Sequence, residues 1–192
     1  VMVMAGKINK AVVSKLMAAQ VKAVGISGAD GPTLIAERKK RIVIVDERGR
    51  KRVIDGGYTG KIVDVKTDLL LKLLSEGYVV VVAPIAIDSE GVLLNVDGDQ
   101  AAYAISTALK ASALVILTDV EGVIIDGQLV KEVKSSEVDE LLKKIGFGMN
   151  RKVMLAKKAV EEGVEKLVIS SGLVEEPITK ALSGAGTTIV RG

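Results

Sequence analysis

The chain has no histidine, no cysteine and no tryptophan, and only 2% of its 192 residues are aromatic. Each absence removes a class of chemistry. Without cysteine there is no disulfide scaffold and no zinc–thiolate centre, a composition that fits a reducing, cytoplasmic setting. Without histidine the chain lacks the usual general base and the commonest metal ligand. With so few aromatics it lacks the stacking platforms of a single-strand nucleic-acid binder. No apolar run reaches the ~18 residues of a membrane span, and the first residues do not read as a secretory leader. The expectation is a partner set without nucleic acid or membrane. Any chemistry falls to Lys, Arg, Asp, Glu, Asn, hydroxyls and backbone amides. That suits phosphoryl transfer, where catalysis is mostly positioning and charge stabilisation.

What is present is aliphatic. Hydrophobic residues make up 48% of the chain, enough for a sizeable core in one domain or a large part of one. The net charge is only +3, but eight of the 27 Lys and Arg fall between Arg38 and Arg52: Arg38, Lys39, Lys40, Arg41, Arg48, Arg50, Lys51 and Arg52.

Apolar runs alternate with helical patterns. KAVGIS (22–27), GKIVDV (60–65), YVVVVAPIAI (78–87), ALVIL (113–117), EKLVISS (165–171) and TTIV (187–190) read as strands. YVVVVAPIAI, almost wholly apolar, reads as one central strand covered on both faces. RIVIVDERGRKRVID reads as a β-hairpin turning between Asp46 and Gly49. The opening stretch reads as helix. Further helices are read at TDLLLKLLSEG, with Thr67 as N-cap and Gly77 after the end, then at QAAYAISTALKA, SSEVDELLKKIG, NRKVMLAKKAVEEG and EEPITKALSG. The alternation predicts an α/β fold: a three-layer sandwich with a mainly parallel central sheet, helices on both faces, and the hairpin as a lid. Ligands of such sheets sit beyond the carboxyl ends of strands. SGADG, NVDGD, TDVEG and SSG all fall at such ends.

Several residues in these loops carry chemistry or structure. In NVDGDQAA, Asp97 or Asp99 either caps the next helix or, with Asn95, serves a site in which Asp99 anchors a lysine and Asn95 holds a polar group of the substrate. Lys152 follows two glycines and sits one turn into a helix, where a cation is unfavourable unless an anion is bound. Arg151, Lys157 and Lys158 read as solvated. Thr118, Asp119 and Gly122 either suit the ribose and adenine of a nucleotide or form an Asx-type turn. SGADG reads as a turn. DGGYTG reads as a closure over substrate or as a flexible connection.

Taken in order, GKINK, VGISGADG, VVVVAPIAIDSEGVLLNVDGDQAA, LTDVEGV, GMNRKVMLAKKAVEEGVEKLVISSG and GAGTTIV resemble the amino acid kinase family, within it the acetylglutamate kinase branch, and most of all its carrier-protein-dependent members. The resemblance implies ATP with Mg²⁺, and a substrate carboxylate attacking the γ-phosphate to give an acyl phosphate. The carboxylate would belong to 2-aminoadipate or glutamate on an amino-group carrier protein, in lysine or arginine biosynthesis. Two alternatives stay open: a kinase of free N-acetyl-L-glutamate and a non-catalytic nucleotide-binding module. By the same resemblance Lys152 stabilises the transferring phosphoryl group, Asp99 orients the active-site lysines and Asn95 contacts the substrate. Asp119 to Ile124, and Lys144 to Gly146, hold the nucleotide. Residues 1–95 would be the remainder of a substrate, carrier and dimerisation lobe, and 96–192 the nucleotide lobe of a homodimer. The family's opening third, with a second lysine, a Gly-Gly loop and a substrate arginine, would precede the first matching segment. The carrier would be small and acidic, steered by the basic hairpin.

Overall fold

Aliphatic runs set between glycine-containing turns give this chain fourteen short strands and six α-helices among its described residues. The computed structural model describes residues 1–45 and 49–192, without the side chain of Phe147. Arg48, and most of the expected hairpin turn, lie outside the described residues. The chain forms two compact units, Val1–Ala104 and Ile105–Gly192.

In the first unit a π-helical segment (Met2–Ile8) leads into α1 (Asn9–Ala18), and β1 (Ala23–Ser27) follows. Next come β2 (Leu34–Arg38), β3 (Arg41–Val45), β4 (Lys51–Asp55), β5 (Gly60–Val65), α2 (Asp68–Ser75), β6 (Val79–Ala83), β7 (Ile85–Ile87), β8 (Leu93–Asn95) and the start of α3 (Gly98–Ala108). β1 and β6 pair in parallel. A four-stranded sheet has the order β5-β2-β7-β8, and β3 and β4 form an antiparallel hairpin of their own. Asn9 joins helix to sheet. It is 3% exposed, and its side-chain amide donates to the carbonyls of Ile26 (3.1 Å) and Val81 (2.9 Å).

The second unit completes α3 and continues with β9 (Leu114–Thr118), β10 (Ile124–Ile125), β11 (Gln128–Leu129) and β12 (Glu132–Lys134). After a 3-10 turn at Ser135–Glu137 come α4 (Val138–Leu142), α5 (Phe147–Glu161), β13 (Lys166–Ser171), α6 (Pro177–Leu182) and β14 (Thr187–Val190). Its main sheet has the order β12-β14-β13-β9. β13 runs parallel to β9 and antiparallel to β14, and β12 runs parallel to β14. β13 occupies the middle, with Leu167, Val168 and Ile169 at most 1% exposed. α5 packs on it through Val153, Ala156, Ala159 and Val160, all 0% exposed and set at positions i, i+3, i+6 and i+7, one helical stripe.

The mixed α/β fold with parallel pairs agrees with the alternation in the sequence, while several local expectations need correction. YVVVVAPIAI is two strands in different sheets, divided at Pro84, whose ring removes a ladder donor. Its first half, β6, pairs only with β1 among the described residues; Val79 at its start is 45% exposed, while Ala83 at its end is 4% exposed. SSEVDELLKKIG is a 3-10 turn and a five-residue helix, with the Glu137 carboxylate accepting the Lys134 amide (3.2 Å). α5 starts three residues before the expected Asn150. Strand β2 and the short β10, β11 and β12 were not expected.

Candidate active site

In the first unit the candidate residues follow from how β8 passes into α3. Asn95 ends β8, opposite Ile85, and its backbone amide donates to the Tyr58 carbonyl at 2.8 Å. Thr59 also bridges to Asn95. DGGYTG is therefore a pinned segment and not a flexible connection. Gly57, at φ +55°, donates its amide to Asp55 Oδ1 (2.7 Å). Arg38 Nε donates to the Gly57 carbonyl (2.6 Å), and its guanidinium lies 5.0 Å from the Tyr58 ring centre, in cation–π range.

The two aspartates of NVDGDQAA divide their roles. Asp97 Oδ1 accepts the amide of Gln100 at 3.0 Å, the bond an N-cap makes three residues ahead. Capping thus belongs to Asp97. Asp99 lies half-buried in the first turn of α3. SGADG is a turn, as read: Asp30 Oδ2 accepts from the Ser27 amide (2.6 Å) and hydroxyl (2.8 Å).

In the second unit strand directions gather residues on one sheet edge. The register sets Thr118, at the end of β9, beside Ser171, at the end of β13. β14 starts at the same edge, because it runs antiparallel to β13. Thr118 Oγ1 donates to Asp119 Oδ1 (3.0 Å), and the Gly172 amide donates to the Thr118 carbonyl (2.7 Å). Gly122 has a φ of +153°, and a Cβ there would lie 2.7 Å from Thr187 Oγ1 and 2.8 Å from Leu129 Cδ1. Only glycine fits.

Thr187, which the sequence reading did not single out, explains that close approach. It is 0% exposed. Its hydroxyl accepts the Val123 amide (2.8 Å) and donates to the Val130 carbonyl (2.6 Å). A single hydroxyl ties both ends of the β10–β11 hairpin to β14. Ile124, in β10, is 49% exposed beside this tie. The adjoining cavity, of about 220 Å³, is lined by Glu121, Lys131, Ser170, Ser171, Lys180 and Gly186, among others. The SSG at the strand end was the sequence signal for its serines; the two lysines gave none.

Gly146 precedes α5, and its carbonyl accepts the Asn150 amide at 3.1 Å. Lys152 is half-buried one turn further on. Lys157 corrects its reading as a solvated lysine. Its side chain is 25% exposed, and its ammonium donates to both carboxylate oxygens of Asp139 at 2.8 Å, joining α5 to α4. That hydrogen bond raises the Lys157 pKa above its ordinary value.

Asn95 and Asp99 thus belong to the first unit, and Thr118, Asp119, Gly122, Ile124, Gly146 and Lys152 to the second. The described residues contain no group of three or more carboxylates placed to hold a metal ion.

Comparison with known proteins decides what kind of fold carries these residues. The model of the amino acid kinase family matches residues 1–171. The chain belongs to the amino acid kinase family. Among curated relatives, a LysW-aminoadipate/LysW-glutamate kinase of Saccharolobus islandicus is 51% identical over 186 residues, which is 96% of this chain and 70% of that protein. One of the same name from Sulfurisphaera tokodaii is 53% identical over 184 residues, 95% of this chain and 70% of that protein. Among solved structures, N-acetylglutamate synthase from Neisseria gonorrhoeae, complexed with coenzyme A and L-arginine, superposes with a TM-score of 0.78 at 25% identity, over 98% of this chain and 45% of that one. Carbamate kinase from Giardia lamblia bound to AMP-PNP superposes with a TM-score of 0.69 over 96% of this chain and 71% of that one. At 19% identity it speaks for the fold alone. As an amino acid kinase, the chain sits in a family whose chemistry is ATP-dependent. Among its described residues no helix is long and apolar enough to cross a membrane.

Proposed function

We propose that the chain phosphorylates, with ATP, the side-chain carboxylate of L-2-aminoadipate or L-glutamate carried on an amino-group carrier protein. The observation that carries this is 51% identity over 96% of the chain, spanning both units, to a kinase named for those substrates. A carboxylate oxygen attacks the γ-phosphorus, the bond to the β,γ-bridging oxygen breaks, and ADP leaves with that electron pair. The nucleophile is already ionised at neutral pH, so no base is needed, and a chain without histidine suffices.

In this reading residues 1–95 serve the substrate and residues 96–192 the nucleotide. Asn95 contacts the amino-acid portion. Asp99 orients the active-site lysines, and Lys152 stabilises charge on the transferring phosphoryl group. The turn from Asp119 to Ile124, held by Thr187, and the Lys144–Gly146 segment take the adenosine. Mg²⁺ travels on the ATP phosphates, the usual arrangement for this ion. The carrier is steered by Arg38, Lys39, Lys40, Arg41, Arg50, Lys51 and Arg52, with Arg48 beside them in sequence. The enzyme acts as a homodimer, as its likeness to the family suggests.

The test is ADP release with carrier-bound 2-aminoadipate, carrier-bound glutamate and free N-acetyl-L-glutamate as separate acceptors. Turnover confined to carrier-bound substrates is expected. Turnover on the free amino acid alone would replace this reading with that of an N-acetylglutamate kinase. ATP binding without turnover on any acceptor would make the chain a nucleotide-binding module.

A further inference from the structure

The β3–β4 hairpin stands out as an apolar surface left open within a basic segment. Its register opposes Val43 to Val53, Val45 to Lys51 and Arg41 to Asp55. Opposed residues share a face, so Val43, Val45 and Val53 lie together, flanked by Arg41 and Lys51. The three valines are 61%, 64% and 63% exposed. The other face, with Ile42, Ile44 and Ile54, is better covered: Ile44 and Ile54 are 40% and 41% exposed, and Ile42 is half-buried.

The hairpin is a two-stranded sheet with no further strand beside it among the described residues. Such a ribbon is marginal in water, and exposed β-branched residues on it invite association. A cluster of apolar side chains rimmed by charge marks an interaction site.

We propose that this face, Val43, Val45 and Val53 with Arg41 and Lys51, is where the carrier protein docks, through an apolar patch bordered by carboxylates; the inference rests on the carrier-dependent reading above. Charge selects the occupant. Among the described residues Arg41 and Lys51 make no ion pair, and the one described carboxylate of the face, Asp55, accepts the Gly57 amide. A second copy of this chain would set its own Arg41 and Lys51 against these, so like charge opposes self-association here. An acidic surface gains the charge pairs and covers the valines together. The location serves the reaction. β4 leads through Gly56 and Gly57 to Tyr58 and Thr59, whose backbones meet Asn95. A carrier seated on the hairpin holds its tethered amino acid at the Asn95 edge.

The test replaces Val43, Val45 and Val53 together by threonine in the enzyme. Threonine keeps the β-branched shape, so the hairpin persists, and every cation remains. Calorimetric titration with the carrier should show a dissociation constant raised at least about tenfold, as expected when the apolar share of a docking surface is lost. The dependence of log Kd on log salt should not change, because the charges are intact. kcat at saturating carrier and the KM for ATP should stay at native values, and an unshifted melting temperature would show that the fold is intact. Carrier affinity within about twofold of native would overturn the inference while leaving carrier dependence standing. So would a loss of self-association, by sedimentation, with carrier affinity unchanged; the face would then belong to a second copy. A native enzyme that ignores carrier-bound substrate would remove the functional reading and this inference with it.

Discussion

Replacing Thr187 by valine tests how the turn proposed to take the nucleotide is held. The substitution keeps shape and removes the hydroxyl. Two groups lose their partner: the Val123 amide, at 2.8 Å, and the Val130 carbonyl, at 2.6 Å. Val123 is 0% exposed, so water cannot replace the lost bond there. Val130 is half-buried, and its carbonyl recovers part of the loss from solvent. At ~1–3 kcal/mol for each stranded group, the sum is roughly 2–4 kcal/mol, the amide carrying most of it. For a chain of this length that lowers the melting temperature by roughly 5–15 °C. The loosened turn runs from Asp119 to Ile124, so the KM for ATP should rise about tenfold, equivalent to ~1.4 kcal/mol of positioning, while the KM for the acceptor stays put. Thr187→Ser retains the hydroxyl and should stay near the parent on both measures. Scanning calorimetry and ATP-dependent initial rates read the outcome. If T187V melts within ~1 °C of the parent and shows an unchanged KM for ATP, the hydroxyl does not hold the turn.

Three further outcomes are expected. Lys152→Ala should lower kcat by about 10²–10³ with a smaller change in the KM for ATP, the pattern of a lost transition-state cation, and near-native turnover would remove the assignment. Asn9→Leu strands the carbonyls of Ile26 and Val81 and should cost roughly 2–4 kcal/mol in urea unfolding; an unchanged midpoint would mean that those bonds are replaced. The Lys157 pKa lies above its ordinary 10.5, first because of its hydrogen bond to Asp139. A raised folded-state pKa gives stability that is whole below pH 10.5 and is lost as pH climbs through the folded value. Asp139→Asn should therefore flatten the alkaline fall of the urea midpoint, and identical curves for parent and variant would discount the pair.

The alternation of helix and strand was legible because its signals are local. LVIS at 167–170, the helical spacing of Val153, Ala156 and Val160, and the glycine after the Thr67-led helix each point one way without help from distant residues. Pro84 was equally visible, but whether it interrupts a strand or divides two sheets depends on which neighbours pair on either side. The aspartates of NVDGDQAA were ambiguous for a related reason. Either carboxylate can cap a helix on paper, and only the place where the backbone turns into α3 gives the bond to Asp97. Lys157 looked like any lysine on an exposed helix face until α4 brought Asp139 against it.

By itself the sequence determined composition-level chemistry: no histidine base, no thiolate metal site, an aliphatic core and a concentration of cations at residues 38–52. It also determined membership of the family, since ordered motifs survive in the text of the chain. Tertiary structure alone decided that Thr187 bonds both ends of the β10–β11 hairpin, that Gly122 admits no side chain, and that one hairpin face leaves three valines open beside two cations. Those facts depend on pairs of residues far apart in the chain, such as Val123 and Thr187. A hydrogen bond over such a separation exists only once strand register has chosen the neighbours, and register is a property of the folded sheet.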